Sequence, residues 1–214
     1  MSQRYDCCFA SERAVGLGEA AAALRRGELV VLPTDTVYGV GADAFSPAAV
    51  CRLLDAKGRG RNMPSPVLVG GPDDLDGLVE NLPEQAHRLV DALWPGGLTL
   101  VAHHKPSLEW DLGETGGTVA LRMPAHPVAL DLLNQTGPLA VSSANLTGQP
   151  SPQDCDAAHR MLGDTAAVYL DGGPTPADVP SSIVDITATS PVLLRARAIS
   201  ADELRKVAPG LQQR

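Results

Sequence analysis

Aromatic side chains are scarce in this 214-residue chain: Phe, Trp and Tyr make up 3% of it, so stacked rings cannot build the interior. The core has to come from Val, Leu, Ile and Ala within an apolar fraction of 44%, a composition suited to the buried strands of an α/β fold. No apolar stretch reaches the roughly 20 residues that cross a bilayer, and the opening MSQRYDCCFA lacks the basic-then-apolar order of a secretory leader. No membrane partner is expected, and the expected location is the cytoplasm. The cysteines are few, Cys7, Cys8, Cys51 and Cys155, and none stands at CxxC or Cys/His ligand spacing, which points to reduced structural thiols. GxxxxGK[ST], GxGxxG and GxSxG are all absent, and with them the sequence marks of a P-loop, a dinucleotide fold and a nucleophile elbow. His103-His104 has no third ligand at a diagnostic spacing and reads as an exposed strand end, so no metal-binding residues are assigned. A net charge of −8 argues against gripping nucleic acid by phosphate neutralisation over a broad surface, so an anion site would have to be local.

What is present is a regular alternation of elements. Helical spacing over Ser11 to Arg26 ends at Gly27 and runs into the apolar ELVVLP; Ser46-Pro47 then opens a helix that ends near Gly58, giving an α-β-α start. Strands fit Pro66 to Val69, Leu98 to His103, Thr118 to Met123, Leu139 to Ser143, Ala167 to Asp171, Ser182 to Thr187 and Val192 to Ala196. Helices fit PDDLDGLV, PEQAHRLVDALW, HPVALDLLNQT and SPQDCDAAHRML, and Ser200 with Glu203 has capping-box spacing for a short helix over about 201–208. Some strand pairs are separated by a helix and others by a loop, which predicts a mixed parallel and antiparallel twisted sheet flanked by helices. The size prior favours one domain over 1–214, and Gly113 to Gly117 and Asp171 to Ser182 read as mobile loops within it.

Polar residues follow several apolar runs. Thr34, Asp35 and Thr36 follow LVVLP; Ser142, Ser143 and Asn145 follow LAV; Arg122 follows VAL; and Ser181-Ser182 precede IVD. A ligand cleft at strand ends would gather such groups, while turn formation by Thr, Asp, Ser and Asn side chains would explain each one singly. The stretch AKGRGR carries Lys57, Arg59 and Arg61 past a helix end. It fits a phosphate site, a solvated helix C-terminus or an RNA contact.

Taken in order, PTDTVYGVG, AKGRGRNMP, LWPGGLTL, LRMP, SSANLTGQPSP, SSIVD and LLR resemble the threonylcarbamoyl-AMP synthase family, the YrdC-type domain, over about residues 15–200. The resemblance implies a YrdC-like fold and an enzyme making threonylcarbamoyl-adenylate and pyrophosphate from L-threonine, bicarbonate and ATP, with Mg²⁺ accompanying ATP. The product would serve the t6A modification of adenosine 37 in ANN-decoding tRNAs through a downstream threonylcarbamoyl-transferase complex, with weak tRNA binding by the enzyme itself. By the same resemblance Thr34, Arg122 and Ser181 face threonine, and Lys57, Arg59, Thr118, Ser143, Asn145, Ser151 and Arg195 face the nucleotide. Lys57 and Arg59 carry the catalytic role and would be needed only for bound phosphate, so that replacing them leaves the fold intact.

The chain departs from the family pattern at Gly60, where a proline is common, at Met63, where a polar or cationic residue is common, at Pro180, where glutamate is usual, and at Ala196-Arg197 in place of Pro-Gly. Arg61 or Asn62 could stand in for the contact that Met63 cannot make, or Met63 could pack beneath its loop. Asp35 and Asp185 are the carboxylates nearest the matched motifs, and each reads either as a structural group accepting backbone N–H bonds at a turn or as part of the site. The length matches the single-domain form of the family. The rival readings are a non-catalytic RNA- or tRNA-binding YrdC-type module, which the missing stacking aromatics disfavour, and a hydrogenase-maturation carbamoyl-transfer enzyme, which would need a Cys/His cluster.

Overall fold

The computed structural model describes residues 1–176 and 179–213. Part of the glycine- and proline-rich Asp171 to Ser182 segment, and the last residue of the 1–214 span, lie outside the described residues. In chain order the elements are β1 (Gln3–Asp6), α1 (Ala10–Arg25), β2 (Val30–Leu32), β3 (Gly39–Asp43), α2 (Pro47–Lys57), β4 (Val67–Leu68), α3 (Asp74–Leu78), α4 (Glu84–Leu93), β5 (Leu98–His103), β6 (Thr118–Arg122), α5 (Pro127–Thr136), β7 (Leu139–Ser143), α6 (Cys155–Leu162), β8 (Val168–Asp171), β9 (Ser182–Asp185), β10 (Val192–Arg195), α7 (Ala201–Val207) and β11 (Gln212–Gln213).

The strands form one sheet in the order β1-β8-β2-β3-β7-β4-β6-β5-β9-β10-β11. Parallel contacts such as β2 with β8 and β5 with β9 alternate with antiparallel ones such as β3 with β7 and β5 with β6, the mixed sheet that the sequence predicts. The helix signals act as expected at two places. Ser46 caps α2 by accepting from the Ala49 amide, and Gly58 ends it in the left-handed conformation at φ 61°. The Ser200–Glu203 capping box opens α7.

Two expectations change. The helix of SPQDCDAAHRML starts at Cys155 with Asp154 as its cap, because the Asp154 carboxylate accepts from Ala157 N at 2.7 Å; Ser151 is left outside it. The opening unit is β-α-β-β-α, since Gln3–Asp6 forms β1 alongside β8, and GVGAD forms β3 and pairs antiparallel with β2. Two glycines hide this strand from propensity. They are there for packing: a Cβ at Gly39 would stand 2.6 Å from Val141 Cγ1 on β7.

Strand alternation divides the core between the two faces. Val31, Val40, Leu98, Leu100, Leu121 and Tyr169 face the layer of α2, α3, α4, α6 and α7, while Val30, Leu32, Leu68, Leu139 and Leu170 face α1 and α5. Helices α1 and α5 cover only part of the second face. Arg122 and Thr99, each next to a residue that points the other way, lie on its uncovered remainder. All four cysteines are unpaired, with Cys7 and Cys155 buried and Cys8 and Cys51 exposed. Among the described residues no helix is long and apolar enough to cross a membrane.

Candidate active site

A cleft of about 360 Å³ occupies that uncovered face, within the size range of small-molecule sites. Both kinds of strand end supply it: Ser181 stands just before a strand start, Gly39 at one and Thr99 one residue inside another, and Leu68, Arg122, Ser143 and Arg195 stand at strand ends. Antiparallel neighbours place a start beside an end, so the cleft crosses the sheet from Gly39 and Ser143 through Val141 and Leu68 to Arg122, Thr99 and Arg195. Three arginines line it, Arg59, Arg122 and Arg195, and among the described residues no carboxylate does. In a chain of net charge −8 this gathers positive charge locally, as an anion site would require.

Each guanidinium is held by part of its edge. Arg122 Nε donates to Gly96 O at 2.8 Å, Nη1 to Thr36 Oγ1 at 2.8 Å and Nη2 to Asp35 Oδ1 at 2.6 Å. A guanidinium has five N–H groups, so two remain for a ligand. Arg195 Nε donates to Ser181 O at 2.9 Å, and Arg59 Nη1 donates to Ser142 Oγ at 2.9 Å while its buried Nε has no partner. Burial pulls Arg59 below the ordinary arginine value, and burial followed by the charge of Arg197 does the same to Arg195. An anion between them would relieve both.

Lys57 departs from its expected role. Its side chain is 1% exposed and does not line the cleft; Nζ donates to the Ser143 and Asn145 carbonyls and to Asn145 Oδ1 at 3.1 Å. Three acceptors match the three protons of an ammonium, so Lys57 fastens the end of β7 to α2 and orients Asn145. Its removal would not leave the fold untouched. Burial, then the Arg59 charge, bring its pKa down to about 7, against the pull of those acceptors.

Thr34 is also engaged by its own turn: its hydroxyl accepts from the amides of Thr36 and Val37 at 3.1 and 3.2 Å and donates to Val37 O at 2.7 Å. It lines the cleft and shapes the loop that brings Thr36 to Arg122. Ser143, Asn145, Ser151 and Ser181 line the cleft as well. Thr118 does not: it stands four residues from Arg122 at the other end of β6, about 13 Å along the strand, and its hydroxyl closes a turn onto Thr115 O at 2.8 Å.

The departures resolve as follows. Arg61 pairs with Asp111 at 2.7 Å outside the cleft, and Met63 is 42% exposed, so Arg61 does not replace a cleft contact and Met63 does not pack beneath the loop. Pro180 lines the cleft. Asp185 caps its own turn through the amide and hydroxyl of Thr187. The cations of AKGRGR therefore part ways, one buried, one in the cleft and one in a surface pair, and form no continuous track for an RNA backbone. Thr36, Thr99 and Ser142 belong to the cleft although the family pattern did not assign them. The signal for Thr99 was a lone hydroxyl between two leucines of a buried strand.

The family model Sua5_yciO_yrdC, described as telomere recombination, matches residues 22–196. A Mycobacterium tuberculosis protein provisionally named threonylcarbamoyl-AMP synthase is 51% identical over 207 residues, 97% of this chain and 95% of that relative. The Bacillus subtilis threonylcarbamoyl-AMP synthase is 41% identical over 89% of this chain, which spans 56% of that longer protein. The structure of Pyrococcus abyssi Sua5 complexed with L-threonine superposes with a TM-score of 0.91 at 33% identity, covering all of this chain and 62% of its own. The matched span runs through every residue that lines the cleft, from Thr34 to Arg195, and on that ground the chain belongs to the Sua5/YciO/YrdC family.

Proposed function

We propose that this protein is an L-threonylcarbamoyladenylate synthase, a nucleotidyltransferase that joins L-threonine, bicarbonate and ATP and releases pyrophosphate. The observation that carries the reading is the sorting of positive charge in the cleft. Arg122, held on three sides with two N–H groups left over, suits an amino-acid carboxylate, while Arg59 and Arg195, with unmet donors, suit phosphate oxygens.

In this reading the threonine amine and bicarbonate give a carbamate with loss of water. A carbamate oxygen then forms a bond to the α-phosphorus, and the bond from that phosphorus to the bridging oxygen breaks, its electron pair leaving with pyrophosphate. No enzyme nucleophile is needed. The protein positions the two reactants and offsets the negative charge that gathers on the phosphates, with Arg59 and Arg195 as donors and Ser143 and Asn145 beside them. Mg²⁺ would enter as part of the Mg-ATP substrate, since metals held by phosphates often take few protein ligands.

The adenylate is a mixed anhydride that water attacks, so it would pass to a downstream threonylcarbamoyl-transferase complex acting on adenosine 37 of ANN-decoding tRNAs. Direct tRNA binding would be weak for a surface with net charge −8. The test is pyrophosphate release with each of threonine, bicarbonate and Mg-ATP withheld in turn. Release is expected only with all three; release that persists without threonine overturns the reading.

A further inference from the structure

Two adjacent serines lead into β9 and point to opposite sides. Ser182, fully buried, donates to Ile199 O at 2.7 Å and accepts from the amides of Arg197 and Ile199 at 2.9 Å, so it fastens β9 to the segment after β10. Ser181 faces the cleft. Its Oγ accepts from Thr99 Oγ1 at 2.8 Å and from Arg195 Nη2 at 3.3 Å. A serine hydroxyl has two lone pairs and one proton. Both acceptor positions are filled, and among the described residues no protein oxygen takes the proton. That leaves the proton for the cleft that Ser181 lines.

The proton matters because of what lies beside it. The β5–β6 register that sets Leu100 opposite Leu121 continues to Thr99 beside Arg122, and both side chains line the cleft. The two unengaged N–H groups of Arg122 and the Ser181 proton thus converge on one region. We infer that Thr99 is a positioning residue: with Arg195 it fixes Ser181 as a hydrogen-bond donor to an anionic oxygen of the amino-acid substrate held by Arg122. The inference rests on the function proposed above. Thr99 is 2% exposed within β5 and its hydroxyl is given to Ser181, so it acts by occupying the lone pair through which Ser181 would otherwise accept.

The test is calorimetric titration with L-threonine, together with steady-state pyrophosphate release, for Thr99→Val, Thr99→Ser, Thr99→Cys and Ser181→Ala. Thr99→Val keeps the shape and removes the donor. It is expected to raise the threonine Kd and KM about three- to tenfold while kcat and the ATP KM stay within twofold. Thr99→Ser should restore wild-type affinity and Thr99→Cys, a weak donor, should fall between. In a Ser181→Ala background Thr99→Val should add nothing. Unchanged threonine affinity in a folded Thr99→Val protein overturns the inference, and so does a full Thr99→Val effect that persists without the Ser181 hydroxyl. Should the valine variant not fold, Thr99→Cys with wild-type affinity overturns it equally. A wild-type protein that needs no threonine for pyrophosphate release fails the functional reading, and this inference with it; a threonine-dependent wild type beside an unaffected Thr99→Val fails this inference alone.

Discussion

Asp35 and Arg122 stand 87 positions apart in the chain, and their side chains meet at 2.6 Å, with Asp35 behind the arginine that lines the cleft. Asp35 Oδ1 also accepts from the Ala125 amide at 2.8 Å, so one carboxylate oxygen fixes both the guanidinium and the turn that follows its strand. Both side chains are largely buried, Arg122 at 8% and Asp35 at 18% exposure. The loop after β2 thereby reaches β6, four places across the sheet.

Removing the carboxylate leaves Arg122 buried with the Thr36 hydroxyl and the Gly96 carbonyl as its partners among the described residues. Asp35→Ala is expected to destabilise the fold by about 3 to 5 kcal/mol and to abolish threonine binding. Asp35→Asn, which keeps an acceptor without the charge, should lie between. Urea unfolding and calorimetry on the two variants check this; an Asp35→Ala protein as stable as wild type would show that the pair is dispensable.

Lys57 and Arg59 should separate when each is replaced. Lys57→Met strands the Ser143 and Asn145 acceptors inside the protein and is expected to cost about 2 to 5 kcal/mol of stability. Arg59→Ala loses one hydrogen bond to Ser142 and relieves an unpartnered Nε, so its stability should change little while nucleotide affinity falls by about 1.5 to 3 kcal/mol. Thermal melts with and without ATP tell the two patterns apart.

The depressed pKa of Lys57 gives a signed pH effect. Between about 7 in the folded protein and 10.5 in the unfolded chain, the unfolded state binds the extra proton, so this residue's contribution to stability rises with pH across that window. Burial raises Cys7 to about 11 and Cys155 to about 12, which acts in the opposite direction once the unfolded thiols titrate near 9. The comparison therefore belongs between pH 7 and 8.5. There the melting temperature of wild type should gain on that of Lys57→Met as pH rises, and parallel curves would assign Lys57 an ordinary folded-state pKa.

Arg61→Ala and Met63→Leu should leave ATP and threonine binding unchanged. Arg61 is tied to Asp111 at the surface, and Met63 is solvent-facing. Calorimetry with both ligands checks this, and weakened binding in the Arg61 variant would place its guanidinium within reach of a substrate.

By itself the sequence determined the parts with local causes. Ser46-Pro47 to Gly58 specified α2 through a cap, a proline and a left-handed glycine; LTLVAH and LAVSS marked β5 and β7 to the residue; the ordered motifs pointed to the family and to eight of the cleft residues. Strand β3 was hidden because its glycines are chosen for a neighbour across the sheet, and a propensity reads only the chain it belongs to. The tertiary structure alone decided what each polar group does. AKGR offers Lys57 and Arg59 as equals, yet the fold buries the first against the carbonyls of the β7 end and opens the second to the cleft. LTLV gives no hint that Thr99 reaches Ser181, 82 positions later. Hydrogen-bond saturation is a property of neighbours in space, and a residue's proton is free for a ligand only after its distant partners have taken the rest.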